Sequence, residues 1–333
     1  MQSSGMSQLA REAAQTADGA RAQIAATARE VSALGQRLRA RPPAFVVTCA
    51  RGSSDHAATY GKYVLETTVG RAVASIGPSI VSTYGRAPVL ENALFIAVSQ
   101  SGRSPDLVQL TAAAREGGAL VVGIVNDSAS PLARECEVVL QLGAGEERAV
   151  AATKSFLLSC LAFLQLAAAW SDEPALHDAV ARAPEAFAAA AALDGGPPLA
   201  SLASARTMYV VGRGIGLSAA LEIALKLKET CGLHAEAFST AELRHGPIAL
   251  VGPGFPVLAL RQADQTRGSV DEAIAHLARL GAALVELPAV DAPAVLSPLC
   301  QVQTFYLALP ALASARGLDA DAPPHLAKVT RTI

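Results

Sequence analysis

The sequence predicts an α/β fold of two tandem domains, each a doubly wound, mainly parallel sheet flanked by helices. At 333 residues the chain is too long for one average core, so two domains of roughly 150 residues are expected. Short apolar runs alternate with helical stretches and lack the polar alternation of a half-exposed strand. A strand, an Arg-Gly pair and a helix follow one another twice, at Arg51-Gly52 and Arg213-Gly214, which indicates a duplicated unit.

The first half divides into a helical start and a predicted five-stranded domain. Segment 1–43 is expected to be helical and to end at Arg41-Pro42-Pro43, since proline cannot continue a helix. The first domain is placed at 44–170. Its predicted strands are 44–49, 72–76, 94–98, 120–125 and 138–142, and a long helix over 153–170 follows them.

The pattern restarts after an interdomain helix and linker at 171–200, which ends in Gly195-Gly196-Pro197-Pro198. The second domain is placed at 201–318, with predicted strands at 208–211, 256–260 and 283–287 and a helix at 218–230. Residues 319–333 form a tail that we expect to contribute to the active site.

Composition excludes several classes of protein. Hydrophobic residues make up 51% and charged residues 17%, which excludes a disordered chain. The net charge of -2 argues against a nucleic-acid partner. The start lacks a signal-peptide core, and the longest apolar run, 156–170, is too short to span a bilayer. Five scattered cysteines indicate neither disulfides nor a metal site. We therefore expect a cytoplasmic protein without a membrane partner.

Serine hydroxyls cluster after the third predicted strand, in SQSGRSPD at 99–106. Ser104 suits the N-cap of a helix that begins at Pro105, with Asp106 in its first turn. A helix N-terminus has free N–H groups and partial positive charge, so the hydroxyls of Ser99, Ser101 and Ser104 could complete an anion site. A well-capped helix without a ligand is the alternative, but three hydroxyls exceed what capping requires.

A second polar turn, RGSSDH at 51–56, also follows a strand directly. Ser53 and Ser54 could face the same ligand, because neighbouring parallel strands present their carboxyl ends together. A solvent-exposed turn remains open. The glycines of GRGIG at 212–216 suggest a dinucleotide loop, but the spacing is not GxGxxG and no acidic residue clearly ends a second strand about 20 residues on.

The helix at 218–230 carries a polar stripe through apolar surroundings. Glu222, Lys226 and Glu229 lie at i, i+4 and i+7, hence on one face. A solvated face with an ordinary salt bridge is the alternative. His245 precedes Gly-Pro and should lie on a fixed exposed turn, where imidazole exchanges protons near neutral pH.

Lys328 stands close to the chain end, where residues normally fray. Pro323-Pro324 stiffens the approach, and Leu326 offers an apolar anchor, so the tail could lie against the body. A partly desolvated amine loses protonation and can attack a carbonyl. An exposed terminal lysine is the alternative.

Together these stretches resemble the sugar isomerase (SIS) family, in particular the isomerase half of glutamine–fructose-6-phosphate aminotransferases. The resemblance covers nearly the whole chain after about residue 44. Its specific anchors are ALKLKE at 224–229, HAEAFSTAELRHGP at 234–247 and HLAK at 325–328, with ERAVAATKSF at 147–156 and the two serine turns in support.

The resemblance implies a role for each matched position. Glu229 would move the proton between C1 and C2, Lys226 would assist, His245 would open the sugar ring and Lys328 would form an imine with the ketose. His245 would serve a neighbouring subunit, which implies a homodimer, and no cofactor or metal is implied. The implied sugar-phosphate contacts are Gly52, Ser53, Ser54, Ser99, Gln100, Ser101, Ser104, Val150, Ala152 and Glu222.

Two positions differ from the pattern of the aminotransferase family, and these differences, together with the N-terminal part of the chain, bear on the reaction to be expected. Arg51 stands where the synthases usually have cysteine, and Ala152 replaces a serine that touches the sugar. The first cysteine is Cys49, on a predicted strand, so we expect no glutaminase domain with its catalytic cysteine, and the layout is similar to that of type-II glucosamine-6-phosphate deaminases. Deamination is therefore expected; another aldose–ketose isomerase, an ammonia-dependent aminotransferase and a non-catalytic sugar-phosphate sensor are the alternatives.

Overall fold

The structure of the protein, a computed structural model, describes residues 6–328 and confirms the α/β class. The first part of the chain forms five strands and seven helices, in the order α1 (Gln8–Ala14), α2 (Thr16–Ala40), β1 (Phe45–Cys49), α3 (Ser53–Thr68), β2 (Val73–Ser75), α4 (Ser79–Ser82), β3 (Ala93–Ser99), α5 (Pro105–Glu116), β4 (Leu120–Val125), α6 (Pro131–Glu135), β5 (Val138–Gln141) and α7 (Lys154–Ser171).

The second part forms four strands, five α-helices and two short 3₁₀ helices. Its order is α8 (Pro174–Ala191), α9 (Gly196–Ala200), β6 (Thr207–Gly212), α10 (Gly216–Cys231), β7 (His234–Ser239), the 3₁₀ helices Glu242–His245 and Pro247–Leu250, β8 (Pro256–Ala259), α11 (Arg267–Arg279), β9 (Ala283–Val285) and α12 (Ser297–Ala315).

Two compact units result, and they do not follow the linear division expected from the sequence. The five-stranded unit contains 18–146, 155–181 and 327–328 of the described residues. The four-stranded unit contains 6–17, 147–154 and 182–326. The start of the chain and a short piece of the predicted first domain thus belong with the second sheet.

All strand pairings in both sheets are parallel. The five-stranded sheet has the order β2-β1-β3-β4-β5. Its central strand β3 is buried along its entire length, which explains why this stretch is apolar without alternation. The expectation that the apolar run 156–170 is too short for a membrane span is wrong on length, because its helix α7 is long and apolar enough for one. Since 94% of this helix is buried inside the protein, core packing accounts for its composition.

The four-stranded sheet has the order β7-β6-β8-β9. Its edge strand β7 is absent from the sequence prediction, because only Ala235 and Ser239 of HAEAFS are buried, while the polar His234 and Glu236 are exposed. The N-terminal segment is also two helices rather than one. Gln15 separates α1 from α2 and acts as the C-cap of α1.

The strand order locates the crevice where ligands bind in this kind of sheet. In doubly wound sheets that crevice lies at the carboxyl ends of the strands, where the order reverses. The order reverses between β1 and β3 in the five-stranded unit and between β6 and β8 in the four-stranded unit. The turns after β1 and β3 are the two serine turns of the sequence analysis.

Close helix packing in the five-stranded unit predicts an unfavourable Gly61→Ala substitution. A Cβ at Gly61 of α3 would lie 2.3 Å from the ring of Phe163 in α7. We expect overpacking to lower the free energy of unfolding by about 1–3 kcal/mol, despite the better helix propensity of alanine. Gly268→Ala in α11 is the control, since nothing lies within 4 Å of its added Cβ. Urea unfolding should show no loss for that variant, and equal losses would refute the packing argument.

Candidate active site

The turn after β3 is closed by its own hydroxyl groups. Ser99 Oγ accepts a hydrogen bond from the Gly102 N–H at 3.0 Å, and Ser101 Oγ accepts one from the Arg103 N–H at 3.3 Å. Gly102 has φ +61°, and a Cβ there would lie 2.2 Å from Ser130 Oγ. Glycine is therefore required both by conformation and by space. The turn leads directly into α5.

Ser104 occupies the predicted N-cap position of α5, but its side chain makes no capping hydrogen bond within the described chain. The predicted N-cap position is therefore correct, although the hydroxyl does not make the usual capping bond. Asp106 accepts instead from the Leu107 N–H at 2.9 Å. Pro105 has no N–H to satisfy. Ser104 and Gln100 are both half-buried.

The turn after β1 is joined to this one by an ion pair. Arg51 Nη2 lies 2.8 Å from Asp106 Oδ2; the arginine is half-exposed and the aspartate completely buried. Gly52 has φ +55° and ψ −132°, a conformation that favours glycine, and α3 begins at the next residue. Ser53 and Ser54 are half-buried in the first turn of α3. Two helix N-termini thus follow neighbouring strands at the switch point, which favours an anion.

The polar stripe of α10 is buried rather than solvated. Lys226 is 1% exposed and Glu222 is completely buried, with Nζ and Oε1 3.6 Å apart. Lys226 Nζ also donates to Glu229 Oε2 at 2.5 Å, and the Glu229 side chain is 20% exposed. The spacing therefore brings the three side chains together as predicted. Tyr306 donates to Glu222 Oε1 at 2.8 Å.

The charge state of Lys226 is set by opposing effects. Burial lowers its pKa, but the carboxylates of Glu222, Glu229 and Glu147 raise it by more, so that the pKa of Lys226 is raised overall. The raised pKa keeps the amine of Lys226 protonated, so it is a cation beside Glu229. Glu147 is absent from the sequence prediction, because it lies far from α10 along the chain and no spacing connects the two.

The remaining predicted residues of the four-stranded unit have distinct environments. Val150 and Ala152 are half-buried in the segment 147–154. Glu222, expected to touch the sugar phosphate, is enclosed by Tyr306 and Lys226; the geometry supports a structural and electrostatic role for it, and a sugar contact stays a prediction.

His245 lies on the exposed 3₁₀ turn that the sequence analysis expected. Gly246 follows it with φ +147°, and Leu250 in the next 3₁₀ helix is 70% exposed. Across residues 6–328, His245 has no hydrogen-bonding or ion-pair partner. Lys328 is the last described residue; it is half-buried and belongs to the five-stranded unit.

These features define a doubly wound α/β protein with two helix N-termini at one switch point, a class suited to small anionic ligands. Comparison with known families is more specific. The SIS domain model matches residues 45–169 and 201–294, and the chain belongs to the SIS domain family.

Curated relatives carry the name glutamine–fructose-6-phosphate aminotransferase [isomerizing]. The one from Mycobacterium tuberculosis is 35% identical over 329 residues, covering 88% of this chain and 51% of its own length. The one from Aeropyrum pernix is 34% identical, covering 83% of this chain and 49% of its own. The chain therefore spans about half the length of the curated relatives it matches.

Solved structures share the fold across nearly the whole chain. A candidate phosphosugar isomerase from Silicibacter pomeroyi DSS-3 has a TM-score of 0.90 and 39% identity, covering 95% of this chain and 100% of its own. A glucosamine-6-phosphate deaminase from Thermotoga maritima has a TM-score of 0.73 and 22% identity, covering 94% and 100%. At 22% identity, the similarity to the deaminase shows a shared fold and no more.

The buried lysine predicts a large loss of stability for Lys226→Met. Removing the cation leaves Glu222 and Glu147 buried without it, which should cost about 3–5 kcal/mol in urea unfolding at pH 7. Because the folded pKa of Lys226 is raised, its stabilisation is present below the unfolded pKa and is lost only as pH rises through the folded pKa.

Adding Glu222→Gln to Lys226→Met should restore part of this loss. The matched control is Lys228→Met, since Lys228 lies two residues on in α10 and is exposed. Equal effects of the two lysine substitutions would contradict the role assigned to the buried charge.

Proposed function

We propose that this protein is an aldose–ketose isomerase that converts an aminohexose 6-phosphate and water into a ketohexose 6-phosphate and ammonia, with glucosamine 6-phosphate as the expected substrate. The observation that carries the proposal is the carboxylate of Glu229, which is partly exposed while its partner Lys226 is buried and cationic. A carboxylate held in this way can take up and deliver a proton at one fixed position.

Substrate binding is assigned to the turns after β1 and β3. The N-termini of α3 and α5 and the hydroxyls of Ser54, Ser101 and Ser104 would hold the 6-phosphate. Arg51 is engaged by buried Asp106, so it orders the two turns and we assign the anion to hydroxyls and main-chain N–H groups. Val150 and Ala152 would contact the sugar.

The reaction then needs three steps that balance in atoms and protons. His245 opens the pyranose ring by proton transfer. Glu229 removes the proton on C2 and returns it to C1, while one proton passes from the amino group to the C1 oxygen, leaving a hydroxymethyl group and a C2 imine. Hydrolysis of the imine consumes one water and releases ammonia. The amine of Lys328 would condense with the C2 carbonyl of the ketose to form an imine, with loss of one water.

The comparisons support this proposal at the level of the family. The named relatives act on fructose 6-phosphate by their printed names, and the deaminase from Thermotoga maritima shares the two-unit fold. Ammonia release from glucosamine 6-phosphate would support the deaminase. Interconversion of unaminated sugar phosphates without ammonia release would favour another aldose–ketose isomerase. Formation of glucosamine 6-phosphate from fructose 6-phosphate and ammonia would favour an ammonia-dependent aminotransferase. Binding without turnover would favour a sensor.

Glu229→Gln should abolish turnover while leaving sugar-phosphate affinity within about twofold, because the amide keeps the shape but cannot carry the proton. Ammonia release and calorimetric binding of glucosamine 6-phosphate measure the two effects. Glu236→Gln is the matched control, since Glu236 is exposed on β7. If the Glu229→Gln variant turned over substrate near the wild-type rate, Glu229 would not be the group that transfers the proton.

We also propose that the protein works as a homodimer in which His245 serves the neighbouring subunit. The support is local: His245 and Leu250 project from an exposed 3₁₀ segment, and an exposed apolar side chain beside a candidate catalytic group fits a covered surface.

Mixing His245→Ala and Glu229→Gln subunits tests this arrangement. After joint refolding, half of the dimers are mixed and each holds one site with both groups intact, so activity should return to roughly a quarter of wild type. Each variant mixed with itself is the control. Absence of recovery, with exchange of subunits verified by mass, would place His245 and Glu229 in the same chain's site.

A further inference from the structure

The segment 147–154 is fastened to helix α1 by a buried carboxylate. Glu12 accepts hydrogen bonds from the Arg148 N–H at 2.6 Å and from the Ala149 N–H at 3.1 Å. Its side chain is almost wholly buried, and it also accepts from Gln8 Nε2 at 2.6 Å. One carboxylate on α1 therefore fixes two successive main-chain amides immediately before Val150.

The far end of the same segment is held as well. Glu147 accepts from the Thr153 N–H at 3.0 Å and thereby closes the segment on itself. Lys154, also buried, donates from Nζ to Gln15 Oε1 at 2.7 Å. Val150 and Ala152 thus lie on a short arch with both ends fixed, one by Glu12 of α1 and the other by Gln15, the C-cap residue of α1.

Helix α1 is in turn held by the start of the C-terminal tail. The carboxylate of Asp321 accepts from the Gln8 N–H at 2.6 Å and the Leu9 N–H at 2.8 Å, and Ser7 Oγ accepts from the Ala10 N–H at 3.1 Å. The first N–H groups of α1 are therefore satisfied, two of them by one side chain. Asp321 stands seven residues before Lys328.

We propose that Glu12 and Asp321 are positioning residues: Glu12 fixes the arch 147–154 to α1, and Asp321 fixes the tail that leads to Lys328 to the same helix. Neither residue needs to touch the substrate. Glu147 begins the arch and is one of the carboxylates that raise the pKa of Lys226, so a loosened arch would also disturb the surroundings of Glu229. The anchoring of the arch and the tail is independent of the proposed function; only the expected effects on substrate affinity and turnover rest on it.

A carboxylate is needed at both places because every donor it meets is an N–H group. Glutamine at position 12 would present one oxygen and one NH₂ group to two main-chain N–H donors, so that one donor would lose its acceptor. Asparagine at position 321 would have the same effect on Gln8 or Leu9. Aspartate at position 12 would keep the charge and shorten the reach.

The first measurement is hydrogen exchange of the Arg148 and Ala149 amides in the full-length protein. Glu12→Gln should accelerate their exchange about tenfold or more, and Glu12→Asp should give a smaller change. Glu30→Gln is the control, because Glu30 is exposed on α2. Unchanged exchange in Glu12→Gln would overturn the anchoring role, whatever the protein catalyses.

The second measurement separates position from general stability. Calorimetric affinity for glucosamine 6-phosphate should fall about tenfold in Glu12→Gln and stay within about twofold in Asp321→Asn. Asp321→Asn should instead reduce kcat and the borohydride-trapped ketose adduct at Lys328. Equal changes of affinity and kcat in both variants, parallel to a lower melting temperature, would reduce the two residues to general stabilisers and overturn the proposal.

The two hypotheses fail separately. If the wild-type protein binds glucosamine 6-phosphate without turnover, the proposed function fails, but the exchange and affinity differences for Glu12→Gln must still appear. If turnover is present and Glu12→Gln changes exchange without changing affinity or kcat, the arch has no part in the reaction and the positioning role is refuted.

Discussion

A protonated amine in the interior of the four-stranded unit determines how its polar groups are arranged. Burying an ammonium group is costly unless opposite charges and hydrogen bonds surround it. Lys226 meets this condition with Glu222 and Glu229 on its own helix and with the field of Glu147. The buried carboxylate of Glu222 needs a donor in turn, and Tyr306 of α12 supplies it.

This requirement connects distant parts of the chain. Glu147 can contribute only if the segment 147–154 lies in the four-stranded unit, and that segment is held there by Glu12 of α1. The hydrogen bonds of Glu12 thus keep the carboxylate of Glu147 in the unit that contains the buried lysine. Glu229, at the partly exposed end of the group, is the member that solvent or a ligand can reach.

Much of the fold could be predicted because burial leaves a local signature. β3 and β4 are apolar throughout, and their predicted bounds differ from the observed ones by at most one residue at each end. The pattern was less informative for β7, an edge strand with exposed His234 and Glu236. Such a strand is defined by pairing with β6, a tertiary contact that no single segment reveals.

The same distinction applies to the site. The stripe of α10 could be predicted because i, i+4 and i+7 spacing places side chains on one face of any helix. Glu147, Tyr306 and Glu12 could not be predicted, since their partners lie far away along the sequence. The N-cap of α5 shows a further limit: position 104 was correct, but Asp106 rather than Ser104 bonds the helix N–H. Sequence preferences specify a position more reliably than the hydrogen bond made there.

Among the described residues, the switch points of the two units differ in the side chains that surround them. In the four-stranded unit, Gln262 is buried after β8 and donates from Nε2 to the Arg213 carbonyl at 2.7 Å. A Cβ at Gly216 would lie 2.6 Å from Gln262 Oε1, and one at Gly212 would lie 2.3 Å from the Gly216 carbonyl. Gly212 and Gly216 of GRGIG are thus accounted for by close packing of the chain on itself and on Gln262, without a nucleotide. After β1 and β3 the corresponding positions carry half-buried serines instead. At the switch point of the four-stranded unit, the side-chain amide of Gln262 packs against the glycine turn. At the switch point of the five-stranded unit, serine hydroxyls and two helix N-termini favour the binding of an anion.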